Sequence, residues 1–595
     1  MRGYFFIAFL LLIFNFGCSS KEKTTTSDNV ANELVELKIT QKHKNERIIE
    51  AKLKADLTLQ KRKTPSGNKI EDLSSQIDRN IKAIISATEI GLLKIDESFK
   101  GDLIYPEKLD KKTNLGDGLA LWVDLKESGQ KTNFEFVSSI RNLSEIFDEG
   151  INIKTIEVFQ NGQMIESTHL VDFMAADKEA HSEWFCQWMK FPGVGMTLIS
   201  LRRKSFTQIV SERGRFFEDT TEKILGHNKN YDIQFNQSLS SWAGRITKFG
   251  DLAMTGHNGL SVGDVNGDGR DDFYVCEAGS IPNRLYLQQE DGTAIDSSKE
   301  SGVDWYEDSR SSLFVDLDND GDQDLVVATI AMIVFCENNG EGVFRIKGGF
   351  PNAQYPFSMS ASDYDLDGNL DLYVCVYGEG DSQSNSRGFG DRIPVPFHSA
   401  NNGGKNVLIK NHGDFRFSEV TQKVGLNYQN NRWSFAASWE DFDRDGDPDL
   451  YVANDFGPNS MYRNDGGHFI EVAKDLGIDD PGAGMSVAWG DLNNDGIFDL
   501  YVGNMFSSAG LRVTSQDSFA SHQDETVVAA MRYFAEGNSL FIGGDKKFRT
   551  WERKFPVSMG RWSWSSGFAD LNNDGFEDVV ISNGYITGWR SKPDL

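Results

Sequence analysis

Cysteine and histidine are scarce in this sequence, with five and nine copies among 595 residues. So few cysteines exclude a disulfide-framed scaffold. The histidines are scattered, and no H-E-x-x-H, G-x-S-x-G, P-loop or dinucleotide glycine fingerprint occurs, so no familiar catalytic signature is present. Basic residues are in deficit: 61 Lys and Arg against 89 Asp and Glu leave a formal net charge of −28. That balance argues against nucleic acid, whose phosphates would be repelled. Apolar runs long enough to span a bilayer are missing throughout. At this length two or more domains are expected.

Aspartate is what the chain has in excess, gathered in one recurring loop. The copies are DVNGDGRDD at Asp264, DLDNDGDQD at Asp316, DYDLDGNLD at Asp363, DFDRDGDPD at Asp441, DLNNDGIFD at Asp491 and DLNNDGFED at Asp570. All six fit D-x-[DN]-x-D-G-x-x-D. Positions one, three, five and nine carry oxygen side chains that can converge on one centre, and the glycine at six permits the sharp turn that brings them together. In chain order these are Asp264, Asn266, Asp268 and Asp272; Asp316, Asp318, Asp320 and Asp324; Asp363, Asp365, Asp367 and Asp371. They continue with Asp441, Asp443, Asp445 and Asp449; Asp491, Asn493, Asp495 and Asp499; and Asp570, Asn572, Asp574 and Asp578. Hard oxygen donors, with a backbone carbonyl from position seven, suit Ca²⁺ better than Mg²⁺, and about six structural ions are expected. Without cations the carboxylates would repel one another. An EF-hand is rejected, because its bidentate Glu at position twelve is missing from every copy and the flanks ("LSVGD", "DFYVC") are β-like.

The loops start 52, 47, 78, 50 and 79 residues apart. A period near fifty predicts propeller blades, and each long gap reads as one blade plus an insertion, at 377–404 and 505–534. These repeats resemble the FG-GAP (VCBS) repeats of integrin-like β-propellers. "DLYVANDFGPNSMYRNDGGHFIEVAKDLGI" (Asp449 to Ile478) further resembles bacterial relatives of the cartilage acidic protein family. The resemblance implies a calcium-stabilised extracellular propeller with no established activity. Six blades carry the motif and the family implies seven, with 226–255 as a degenerate one. The expected fold is mainly β: a propeller over 206–595, in which "FTQIVSERGRFFEDTTEKIL" (Phe206 to Leu225) completes the last blade and closes the ring. Alternatively, that segment belongs to the preceding domain.

Residues 67–205 are expected to form a small α+β domain. Leu73, Ile77, Ile81, Ile84 and Ile85 fall at helical spacing, and β-patterned segments follow, including "SEWFCQWMKF", whose alternating aromatics are read as core. The pattern is loosely similar to the nuclear-transport-factor-2 (NTF2) fold. Residues 19–66 read as a tether and charged helical segment. "MRGYFFIAFLLLIFNFGCSS" looks like a bacterial lipoprotein signal ending at residue 18, with Cys18 as the lipidated residue. Asn15 departs from the usual aliphatic residue there. The expected location is the cell envelope (an outer-membrane lipid anchor, on either side). Cys186, Cys276, Cys336 and Cys375 are expected to be small buried residues.

Blade topology puts all acidic loops on one face and both insertions on the other. There, His257, Arg310, Arg432, Trp433, Arg561 and Trp562 precede inner strands and are the candidate ligand contacts, through aromatic stacking and bidentate guanidinium bonds. Packing of the tryptophans between blades is the competing account. The function expected is a binding or adhesion module for a glycan or protein. A lyase-like polysaccharide enzyme at the channel, or a structural role, are the alternatives, and an enzyme is the less favoured.

Overall fold

The computed structural model describes residues 68–86, 95–96, 99–102, 111–116, 119–124, 131–132, 136, 146–192, 195–212, 214, 217–237, 259–353, 355–378, 394–516, 519, 524–544, 546–551 and 557–583. The signal segment, the tether and His257 lie outside the described residues. The described residues form two compact units, one drawn from within 1–217 and 507–532, the other from within 218–506 and 533–595.

In the first unit a helix over Asn68–Ser86 packs on an antiparallel six-stranded sheet. The helix buries Ile70, Leu73, Ile77, Ile81, Ile84 and Ile85, the stripe its i, i+3/i+4 spacing predicts. Four long strands follow as a meander: Gly150–Asn161, Met164–Ala175, Lys178–Phe191 and Gly195–Ser211. Trp184, Cys186 and Trp188 alternate onto the helix-facing side and are fully buried, as the period-two pattern requires. Buried His169 bonds Thr155 Oγ1 at 2.9 Å and Ser167 Oγ at 2.7 Å, and burial lowers its pKa to about 3, so it is neutral.

Two sequence-based expectations change here. Phe206 to Ser211 do not complete the last blade: they are the end of the Gly195–Ser211 strand, paired with Leu119–Asp124 and Lys178–Phe191. A seventeen-residue strand outcompetes a short outer strand because its ladder is already in place on both sides. Residues 507–532 of the second insertion belong to the first unit. Their helix Ser508–Thr514 lies on the Gly150–Asn161 strand, and buried Arg512 bonds Glu71 at 2.6 and 3.0 Å and the Thr155 carbonyl at 2.5 Å.

The second unit is a β-propeller. Five antiparallel four-stranded sheets follow one another along the chain, each in the order first to fourth strand, with a sixth sheet of two described strands. Successive first strands lie against one another. Small side chains allow that approach: Ser261 meets Ser312 at 2.6 Å and Ser486 meets Ser566 at 2.8 Å. The second strands Asp324–Thr329, Asp371–Val376, Asp449–Asn454 and Asp499–Asn504 are buried along their whole length. Covered on both faces by neighbouring blades, they are near-continuously apolar ("DLVVAT", "DLYVCV") rather than alternating. Cys276, Cys336 and Cys375 are free thiols within these cores, and Cys186 is free in the other unit.

Of residues 226–255, expected as a degenerate blade, only 226–237 are described, and these form turns and a helical turn rather than strands; 238–255 lie outside the described residues. A helical turn at Thr221–Leu225 and another at Tyr231–Phe235 lie on the outer part of blade one, burying Leu225 against Tyr286 and Ala294. Asn228 accepts from the Asp296 N–H and donates to the Ala294 carbonyl, which satisfies an otherwise open sheet edge.

Candidate metal loops and the opposite face

Each D-x-[DN]-x-D-G-x-x-D segment joins the first strand of a blade to its second, and the six have one geometry. The aspartate at position one accepts the N–H of the glycine at six, at 2.7–3.1 Å, in all six. The aspartate at five accepts the N–H of residue seven, at 2.8–3.1 Å. Residue four is left-handed in every copy: Gly267, Asn319, Leu366, Arg444, Asn494 and Asn573, with φ between +54° and +72°. Glycine at six follows at +79° to +97°. Two left-handed residues in one short loop fold the carboxylates inward. In three loops the oxygens come within 4.8 Å of one another: Asp316, Asp318 and Asp320; Asp363, Asp365 and Asp371; Asp441, Asp443 and Asp449.

Position nine has a second task that spacing alone does not reveal. Its Oδ1 accepts a backbone N–H from the end of the third strand: Gln288 to Asp272, Asn338 to Asp324, Asn411 to Asp371, Asn464 to Asp449 and Gly543 to Asp499, all at 2.7–2.8 Å. Oδ2 also takes an N–H from residue two in five loops, those ending at Asp272, Asp324, Asp449, Asp499 and Asp578. Asp371 is the exception; its Oδ2 is buried without a partner, beside Asp363 and Asp365. Burial pushes four of the position-nine carboxyls up, to about 6 at Asp272, about 7 at Asp324 and Asp371, and about 8 at Asp449. Burial and then the neighbouring Asp320 raise Asp318 and Asp322 as well. A divalent cation among these like charges would reverse the shift.

The loops also hold neighbouring blades together. Asn338, Asn411 and Asn464 each donate 2.8 Å side-chain bonds to the residue-two carbonyl of the preceding loop, at Val265, Leu317 and Tyr364. Asn319 and Asn494 reach the glycine-six carbonyl of the following loop, at 3.1 and 2.8 Å. The traceable signal is a recurring "N-x-G" after the third strand ("NNG", "NHG", "NDG"), which lies outside the spacing of the metal motif.

On the opposite face, the predicted contacts are placed differently from one another. Arg310 is buried and pairs with Asp308 at 3.3 Å. Arg432 is buried and donates to the Pro458 carbonyl at 2.9 Å and to Gln429. Trp433 is 1% exposed, edge-on to Tyr377 and Phe456, with its indole N–H on Asn402. These three side chains pack the structure. Arg561 and Trp562 are partly exposed; Trp562 bridges Met505 in backbone pairing and lies 5.8 Å from Trp564.

A cavity of about 730 Å³ opens on this same face at blade three. Asn352, Asn406, Asn427, Asn430, Asn431 and Gln422 give it an amide lining, with Lys405 and Glu419 of opposite charge beside Tyr355. Asn430, 8% exposed, donates to the Asn406 carbonyl, but its own Oδ1 is buried without a partner.

The family model for the FG-GAP-like repeat matches residues 264–327, 316–374 and 441–502. These blades are FG-GAP-like repeats. No curated protein matches the chain by sequence. Among solved structures, the chain is similar to an Agrocybe aegerita lectin described as recognising non-reducing terminal N-acetylglucosamine, at 14% identity and a TM-score of 0.34, over 72% of this chain and 87% of the lectin. It is also similar to the NanB sialidase from Streptococcus pneumoniae, at 11% identity and a TM-score of 0.26, over 74% of this chain and 66% of the sialidase. A structure described as "Rd1NTF2_04 with long sheet" matches at 10% identity and a TM-score of 0.16, over 22% of this chain and 98% of that one.

Proposed function

We propose that this protein is a calcium-stabilised FG-GAP-like propeller, tethered to a bacterial envelope through lipidated Cys18, that binds a glycan in the blade-three cavity. One observation carries the ligand assignment: an amide-lined cavity with an unsatisfied buried acceptor, Asn430 Oδ1, on the face away from the acidic loops. Side-chain amides donate and accept at once, which matches the paired donors and acceptors of sugar hydroxyls. An apolar ligand would strand those groups.

Calcium is supported by the all-oxygen donor sets and by the unpartnered carboxylate oxygens of Asp316, Asp318 and Asp371. Residues of the loops would hold the ion, and its charge would relieve their repulsion. The envelope assignment is supported by the N-terminal apolar stretch ending in Cys18; among the described residues no helix is long and apolar enough to cross a membrane.

A glycan array on the calcium-loaded protein tests the reading, with Lys405→Ala and Glu419→Ala as cavity-rim variants. Both are exposed, so the fold should persist. We expect retained glycans whose binding weakens about tenfold in at least one variant, the scale of one hydrogen bond to a charged group. No retained glycan, or binding indifferent to both variants, would overturn it. Incorporation of a labelled fatty acid that Cys18→Ser abolishes is the expected sign of the anchor.

A further inference from the structure

The six loops share one motif but not one electrostatic setting, and the difference lies in the third strand. The residue just before the backbone N–H that clamps position nine is Leu287, Glu337, Lys410, Arg463 and Ile542 in blades one to five. At blade three, Lys410 is half-buried and its ammonium contacts two carboxylates of the adjacent loop, Asp365 Oδ2 and, at 2.9 Å, Asp367 Oδ2. Its ammonium also lies 5.7 Å from the Tyr364 ring. The two aspartates are positions three and five, two of the oxygens a metal would use. Arg463, at the same place in blade four, instead forks onto Asp465 outside the loop, at 2.7 and 2.9 Å. Glu337, at the same place in blade two, carries the opposite charge and is paired with Lys347 at 2.5 Å rather than with a loop carboxylate. At loop one the partly exposed Arg270 pairs with one loop carboxylate, Asp268, and donates its other bond to the Gln288 carbonyl at 3.2 Å.

We propose that Lys410 is the resident cation of loop three, so that this loop binds a divalent metal only by displacing the ammonium and is the weakest site of the array. The inference rests on the calcium reading and deepens it. Loop three retains the means to bind metal: Asp371 is fully buried, and its Oδ2 stands unpartnered within reach of Asp363 and Asp365. An ammonium is a single charge with fixed hydrogen-bond directions, whereas a divalent ion takes six to eight oxygens, so Lys410 neutralises part of the site and leaves that oxygen unmet.

Calcium titration of the full chain by calorimetry tests this, comparing wild type, Lys410→Met and the control Arg463→Met. Lys410→Met keeps the aliphatic stem and removes the charge. The expected result is one additional calcium equivalent, or about tenfold tightening of the weakest equivalent, in Lys410→Met only. A second readout is thermal melting: Lys410→Met should melt below wild type in chelator and recover in calcium. Unchanged stoichiometry and affinities in Lys410→Met, with wild type binding calcium elsewhere, would overturn the assignment of Lys410 alone. The same gain in Arg463→Met would overturn its specificity. No calcium bound by any of the three would overturn the metal reading together with it.

Discussion

Asp449 shows how much one residue of the loop carries. Its Oδ1 and Oδ2 accept N–H groups from Asn464 at 2.7 Å and Phe442 at 3.2 Å, tying the acidic loop to the third strand of its blade. An asparagine there keeps the shape but can accept only through one atom and must turn an N–H₂ toward a backbone donor. Asp449→Asn should therefore cost about 1–3 kcal/mol with or without metal, read by urea denaturation. Gly446 isolates a different cause. Its φ is +97° and nothing lies within 4 Å of where a Cβ would stand, so Gly446→Ala adds backbone strain without a clash. A loss of about 1–2 kcal/mol is expected, with no change in the surrounding packing. The glycine at position six was legible in the motif. The left-handed residue at four was not, because Asn319, Leu366 and Arg444 share no chemistry, only a conformation.

At the scale of the element, the loops should impose a pH dependence that the metal reverses. Burial holds Asp324 and Asp371 at about 7 and Asp449 at about 8, against about 4 in the unfolded chain. The native state thus binds more protons between about pH 4 and pH 8. The stability from these groups is full below pH 4 and is lost as pH rises through the folded values. In chelator, the propeller's melting temperature should fall between pH 5 and pH 8. With calcium in excess it should not fall, since the ion binds the deprotonated loops and favours the native state. Melting curves at the two pH values, with and without calcium, decide it; a chelated protein that is more stable at pH 8 would contradict the burial argument. The strands themselves were largely readable. Six loops flanked by β-like segments marked the first and second strand of every blade, whereas Asp371 and Asp449 as clamps needed the third strand, which returns up to forty residues later, from Asp371 to Asn411.

At the scale of the molecule, chain order and spatial order part company at residues 507–532. Arg512 is buried against Glu71, 441 positions away in sequence, within one compact unit. Arg512 is buried while Glu71 is partly exposed and can turn to water, so Arg512→Ala loses the charged hydrogen bonds and leaves the Thr155 carbonyl unmet, and should destabilise this unit by about 1–3 kcal/mol. Hydrogen exchange should then accelerate in both Asn68–Ser86 and Ser508–Thr514 while the propeller strands keep their protection. Exchange that rises throughout the propeller instead would contradict the assignment of the insertion to the first unit. The insertion was visible as an over-long gap between loops; its destination was not, because its helix carries no motif and the matching surface lies in a region read as a separate domain.

The sequence by itself determined the repeat, the propeller class and the oxygen character of the loops, because each of those rests on local spacing and on residue types that act within nine positions. It also determined the helical stripe from Ile70 to Ile85 and the buried alternation around Cys186. Only the tertiary structure decided which strand Phe206 to Ser211 joins, where residues 507–532 pack, that Trp433 and Arg432 are buried rather than presented, and that Lys410 reaches into one loop of the six. Those outcomes depend on pairing and burial between segments far apart in the chain, where competing partners differ by small free energies that no local pattern records.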